Sequence, residues 1–328
     1  MRFLLTDEQR EFARSLDALL TAADTPAAVR AWAAGDRAPG LALWRRLAEA
    51  GVFALAVPEA YGGVGPLPVE TAVACGELGR HGVPGPVVES VAAGVLLAEA
   101  GGQAAREWLP GIADGTAVVS LALEAYGPYA LDADAADAVL VVAGDELRLT
   151  AGAGEPTRSM DPARRLFRPG AGGEVLAAGP RVREAARAAG TWATFATAAQ
   201  ALGCGEELLR ATVAYVKQRT QFGVPVGSFQ AVKHRLADTL LGLEFARPLL
   251  YGAAVELAQG APGAGAAVAA AKVAAGEAGY AAARTALQLH GAVGYTEELD
   301  LAWWLRRARP LRDAWGTPSA CRARVLAG

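Results

Sequence analysis

"YVKQRTQFGVPVGSFQAVKHRLADT", Tyr215 to Thr239, decides how the chain folds. Its two ends carry helical periodicity, and the middle breaks it. Gly223, Pro225 and Gly227 punctuate "QFGVPVGS" with residues that favour a turn. A long periodic segment therefore stops here, and a second one starts a few residues later. Two further breaks, "GAPGAG" and "HGAVGY", divide the rest of the chain in the same way. This pattern predicts helices near 182–218, 228–259, 263–290 and 297–309, with a short terminal helix, arranged as an up-down bundle.

Working outward, the first third also reads as helical. Thr6 followed by Gln9 has the form of a capping box, and Phe12, Leu16, Leu19 and Leu20 then recur at helical spacing. "LALWRRLAEAG" repeats the pattern and closes on Gly51, suited to a left-handed cap. "VPEAYGGVGPLP" is turn chemistry. "VETAVACGELGRHG" and "VESVAAGVLLAEAGG" are helical again, and "REWLPGIADGT" is a last short helix breaking into a loop. From Val118 the texture changes. "VVSLALEA", "AVLVVAG", "ELRLTAG", "RRLFRPG" and "EVLAAG" are short branched runs between Gly, Asp or Pro, which read as strands of a small sheet. The predicted chain is mostly α with a small β middle segment: a helical domain over 1–116, a β-segment over 117–180 and a bundle over 181–328.

Composition narrows the function. Lys and Arg number 31 against 34 Asp and Glu, with a pI of about 5.8, so no broad basic field for nucleic acid is expected. "WWLRRARPLR" is the one local positive concentration; it reads by default as a solvated face, with contact to an anionic ligand or partner as the alternative. Cys75, Cys204 and Cys321 lie far apart without a CxxC pair, which fits a reducing compartment. Among His81, His234 and His290 neither HExxH nor a paired His/carboxylate spacing is read, so no metal site is expected. "AGAAVAAAKVAAGEAGYAAARTA" is apolar, but Lys272, Glu277 and Arg284 argue against a membrane span. "MRFLLTDEQREFARSL" is too soon charged to be a signal peptide. The expectation is a cytoplasmic protein without membrane or nucleic-acid partners. No GxGxxG follows a strand and no GxxxxGK[ST] occurs, which removes Rossmann and P-loop chemistry.

Three stretches carry more than helix. They are "LAEAGVFALAVPEAYGGVG" with "ELGRHGVPGP", the opening stretch around "RTQFG", and "QLHGAVGYTEELDLAWWLRRAR". In this order around a β-segment they resemble the acyl-CoA dehydrogenase family of flavoproteins. The resemblance implies that a helical domain, a β-domain and a four-helix bundle enclose FAD, in tetramers where one subunit's bundle contributes to its neighbour's flavin site. It places Arg219 on the FAD diphosphate, which a guanidinium fork suits. It has Gln230 hydrogen-bonding the cofactor and Phe222 packing against it. Gln288, Gly291 and Ala292 would line the diphosphate from the other chain, and Thr317 would join the cofactor contacts. Gly291-Ala292 stands where the family most often has a glycine pair.

The family reaction takes an α-proton from an acyl-CoA thioester onto a carboxylate while the β-hydride leaves for the flavin. The resemblance puts that carboxylate in a turn that here reads "AWGT", Ala314 to Thr317, with Trp315 at the base position. Indole cannot accept the proton, because its N–H only donates. The base position of some relatives falls near Ala193, and Glu184 is over two turns away. No catalytic base is therefore expected in either place. The family's Thr-Glu-Pro and Trp-Ile-Thr runs are also missing from a shortened β-segment. These departures resemble the shortened subunits of heteromeric acyl-CoA dehydrogenases, such as those of actinobacterial steroid side-chain breakdown. On that reading the chain is the base-lacking subunit, with Trp315 filling the vacant pocket as packing. Two other readings stay open. One is a non-catalytic scaffold or binding member. The other is a flavin oxidase or monooxygenase type using Glu297 or Glu298, residues that otherwise suit the start of the next helix.

Overall fold

The computed structural model describes residues 4–170, 172–296 and 298–328. Six helices come first: α1 (Asp7–Thr21), α2 (Thr25–Ala33), α3 (Ala38–Glu49), α4 (Pro68–Arg80), α5 (Val87–Ala100) and α6 (Gly102–Ala113). The capping box is present, with Thr6 and Gln9 each accepting from the other's backbone N–H. Gly51 follows α3 at φ +78°, the left-handed conformation its position demands. α5 is apolar almost all round and buried along most of its length, as a helix surrounded by other elements must be.

The middle segment forms two small sheets rather than one. β1 (Val119–Leu123), β3 (Ala138–Ala143), β4 (Glu146–Leu149) and β7 (Glu174–Ala178) make the first, in the order β1-β3-β4-β7. β1 and β3 run parallel, Val119 opposite Ala138, and the remaining pairs are antiparallel. The second sheet pairs β2 (Ala130–Leu131), β6 (Leu166–Arg168) and β5 (Glu155–Thr157) in the order β2-β6-β5. The five expected runs all contain strands; β2 and β5 were not foreseen. The segment leans on its neighbours. Ser90 of α5 donates to Val119 O at 2.7 Å, and the Trp32 indole donates to the buried Asp132 carboxylate at 3.1 Å.

The bundle follows: α7 (Pro180–Gln218), a tight hairpin of β8 (Thr220–Gln221) and β9 (Val224–Pro225), α8 (Gln230–Ala258), α9 (Ala264–His290), α10 (Leu301–Asp313) and α11 (Pro318–Ala327). α7 is its axis, and a run of small residues from Ala193 to Gly205 is buried against α4, α5 and α9. Glycine sets these approaches. A Cβ on Gly203 would stand 1.9 Å from the Gly76 carbonyl oxygen of α4, and one on Gly279 would stand 2.6 Å from that of Ala201. The helix expected from 297 begins instead at Leu301 and runs to Asp313. Its C-terminus is stabilised from outside the segment. Lys272, buried in α9, donates to the carbonyls of Leu311 (2.9 Å), Arg312 (2.8 Å) and Gly316 (3.3 Å). A cation at a helix C-terminus satisfies free carbonyls and opposes the helix dipole. No helix among the described residues is long and apolar enough to cross a membrane.

Candidate active site

The turn between α10 and α11 is held from every side. Trp315 adopts φ +53° and Gly316 φ +125°. A bulky residue in the left-handed region is strained, so its surroundings must determine it. Three contacts do so. Lys272 gathers the carbonyls on both sides of the turn, the Thr194 hydroxyl of α7 donates to Trp315 O at 2.7 Å, and the indole Nε1 donates to Glu89 Oε1 at 2.9 Å. The Tyr126 ring lies 5.4 Å from the indole at a tilt. Trp315 is therefore buried packing, as expected, and also a hydrogen-bond donor, which was not foreseen.

Glu89 is the residue the sequence reading missed. It sits on α5, 3% exposed, with Oε1 on Trp315 and Oε2 enclosed without a partner. Burial pushes its carboxyl up, against the opposing pull of the Arg164 charge and the indole hydrogen bond. The signal was available: one carboxylate in "VVESVAAGVLL", a helix with no polar face to put it on. Glu89 and Trp315 close one end of a cavity of about 530 Å³, whose wall includes Tyr126, Leu131, Arg164 and Leu166. Behind Glu89 is a void of about 10 Å³ shared with Arg164, Gln200 and Arg307. Arg307 pairs there with the buried Asp161 at 2.7 Å, tying α10 to the loop before β6.

Ala193, the second expected base position, is fully buried beside Thr194 and so adjoins the same turn. Neither position carries a proton acceptor. Glu184 is exposed at the start of α7. Glu298 is exposed before α10, not at its first turn, and Glu297 lies outside the described residues.

Six of the seven expected cofactor residues lie elsewhere, toward one end of the bundle, and Thr317 stays in the α10–α11 turn. The end of α7 and the end of α9 meet where Tyr215 stacks on His290 at 4.2 Å, and Arg235 of α8 donates to Gln288 Oε1 at 2.9 Å. Arg219 caps α7 with its guanidinium exposed and, among the described residues, without a hydrogen bond or ion pair. Phe222 is 94% exposed in the hairpin, Gln230 is the exposed first residue of α8, and Gly291 follows α9 at φ +62° beside the exposed Ala292. Thr317 is committed locally, accepting from Ala320 N as the cap of α11. None of these seven lines the Trp315 cavity. A guanidinium with no partner among the described residues, on the hairpin that carries exposed phenyl rings, suits a diphosphate and its nucleotide.

The expectation about metals needs one correction. Glu77 of α4 and His81, the residue that caps it, do stand at i, i+4 spacing, and with Asp17 their ligand atoms lie within 4.8 Å of one another. Arg80 already pairs with both carboxylates, so a cation's place there is taken by the chain's own charge.

A helical domain, a small double sheet and a long-helix bundle define the fold of flavin-dependent dehydrogenases. The chain belongs to the acyl-CoA dehydrogenase family, FAD-binding oxidoreductases that act on CH–CH groups. Residues 6–116 match the description "Acyl-CoA dehydrogenase, N-terminal domain" and residues 184–327 match "Acyl-CoA dehydrogenase, C-terminal domain". The chain is 38% identical to acyl-CoA dehydrogenase IpdE2 of Mycobacterium tuberculosis, over 92% of this chain and 91% of that protein. Among solved structures it is similar to the Tcur3481-Tcur3483 steroid ACAD (G363A variant), with a TM-score of 0.83, 28% identity, and 98% and 97% of the two chains covered. It is likewise similar to the ChsE4-ChsE5 complex of Mycobacterium tuberculosis, with a TM-score of 0.83, 26% identity, and 100% and 98% covered.

Proposed function

We propose that this chain is the base-lacking subunit of a heteromeric, FAD-linked acyl-CoA dehydrogenase working in the cytoplasm. The observation that carries the reading is Trp315, fastened at its carbonyl and its indole where the family places the proton-abstracting carboxylate. The division into 1–116, 117–180 and 181–328 belongs to the same reading. FAD, when bound, supplies the acceptor for the β-hydride. Arg219 would hold the diphosphate, Phe222 and Gln230 would flank the nucleotide, and Gln288, Gly291 and Ala292 would line it across a subunit contact. Thr317 would reach it only by giving up its cap on α11. The partner would supply the carboxylate and the acyl-CoA pocket. An exposed apolar stripe on α8, with Leu241, Phe245 and Leu249, supports an assembly of this kind.

Glu89 offers a competing reading as a relocated base, because it is a carboxylate beside Trp315. Its arrangement disfavours that role: Oε1 is committed to the indole and Oε2 is enclosed. A general base needs an oxygen within reach of the substrate's proton. The test is to purify the chain alone and together with a full-length relative encoded beside it. Flavin absorption and acyl-CoA dehydrogenation are then measured in each preparation. Activity that appears only with the partner supports the proposal. Equal activity without the partner defeats it, and loss of that activity in Glu89→Gln would pass the role to Glu89.

A further inference from the structure

The small void behind Glu89 is bordered by three polar side chains that the chain itself leaves unsatisfied. Glu89 of α5, Arg307 of α10 and Gln200 of α7 are 3%, 5% and 8% exposed. Arg307 spends most of its fork on the protein. Its Nε donates to Asp161 Oδ2 at 2.7 Å, and its Nη1 donates to the carbonyls of Gly82 and Val83 in the turn between α4 and α5. Its Nη2 is buried with no acceptor among the described residues, and Glu89 Oε2 is buried with no donor. The two make no bond with each other. Gln200 makes no side-chain hydrogen bond among the described residues either.

Unmet groups of this kind are costly when buried, and here three of them meet at one place. The void measures about 10 Å³, room for one water and nothing larger. A buried water typically makes about three hydrogen bonds. The chemistry of the border matches that number: a guanidinium N–H only donates, a carboxylate oxygen accepts, and an amide does both. Arg164 also borders the void, and its charge opposes the effect of burial on Glu89.

We propose that this void is a binding site for one ordered water, which accepts from Arg307 Nη2 and donates to Glu89 Oε2 and Gln200 Oε1. The water completes a chain from Asp161 through Arg307 and Glu89 to the Trp315 indole, joining α10, α5 and α7 beneath the turn. Arg307 and Gln200 are thereby positioning residues for Trp315, acting through Glu89. The site lies within one chain, so it stands or falls separately from the heteromer proposal.

Two measurements on the full-length chain test it. In a crystal structure that resolves enclosed waters, a single peak is expected within about 3.2 Å of Nη2, Oε2 and the Gln200 amide oxygen. A direct Arg307–Glu89 ion pair overturns the site, as does a void left empty while other enclosed waters are visible. In solution, hydrogen exchange of the indole N–H groups is followed by nitrogen-15 NMR, with Trp315→Phe identifying the Trp315 signal. Trp44, whose buried indole donates to Gly115 O outside this network, is the internal control. Gln200→Met removes one partner at nearly unchanged side-chain length. It should expel the water and speed exchange at Trp315 about tenfold while leaving Trp44 unchanged. Glu89→Gln keeps an acceptor for the indole and a polar group for the water, so the water and slow exchange should both remain. Unchanged exchange in folded Gln200→Met overturns the proposal. Equal acceleration at Trp315 and Trp44 does so too, because it reports only a loss of global stability, and so does a Glu89→Gln structure without the water.

Discussion

Trp315 shows how one residue can close a site and still be structurally demanding. Its body fills space beside Tyr126, its indole N–H satisfies a buried carboxylate, and its backbone is held in a left-handed conformation. The two side-chain roles can be separated. Trp315→Phe keeps most of the packing but leaves both Glu89 oxygens unpaired, for an expected loss of about 1–3 kcal/mol. Trp315→Ala also opens a cavity, and about 3–5 kcal/mol is expected. Urea unfolding of the two variants measures the difference, and equal losses would show that packing is not what holds the indole. The partnership was illegible in the sequence because Glu89 and Trp315 are 226 positions apart. The motifs "RTQFG" and "QLHGAVGY" were readable because each is contiguous and falls at an element end. What they face depends on which helices cross, and no spacing along the chain states that.

Elements were legible to the extent that their own residues determine them. α7, α8 and α9 follow from periodicity and Gly/Pro breaks, whereas β2 and β5 exist only because β6 pairs with both. α10 ends four residues beyond its expected limit because Lys272, in another helix, satisfies its last carbonyls. Replacing that lysine tests the explanation. Lys272→Met should cost about 1–3 kcal/mol by leaving three carbonyls without their donor. The pH dependence has a definite sign. Burial pulls the Lys272 ammonium down to about 8 from 10.5, so between those values the unfolded chain binds more protons than the folded one. Wild-type stability relative to Lys272→Met should therefore rise from about pH 8 to about pH 10.5. Denaturant midpoints across that range measure it, and a gap that narrows would contradict the burial. Close packing gives a third expectation. Gly203→Ala places a methyl against the Gly76 carbonyl, where backbone has little room to yield, and should destabilise by about 1–3 kcal/mol or more.

The whole molecule presents two surfaces that the isolated chain leaves unfinished. One is the bundle end proposed to hold the nucleotide, where Arg219 and Phe222 face solvent. The other is the outer stripe of α8, where Leu241, Phe245 and Leu249 recur every four residues at 53%, 72% and 46% exposure. Spacing of four aligns them on one helix face, and a contiguous apolar face of this kind marks an association surface. A partner covering α8 would also bring a second chain near the hairpin that leads into it, so assembly and flavin retention should be coupled. The double substitution Leu241→Glu and Phe245→Glu separates these possibilities. Both side chains are exposed, so far-ultraviolet circular dichroism should be unchanged. Sedimentation should shift to the 33.6 kDa monomer, and the flavin absorption band should fall with it. A monomer that keeps its full flavin content would place the nucleotide site within one chain. An unchanged sedimentation coefficient would place the association surface elsewhere on the molecule.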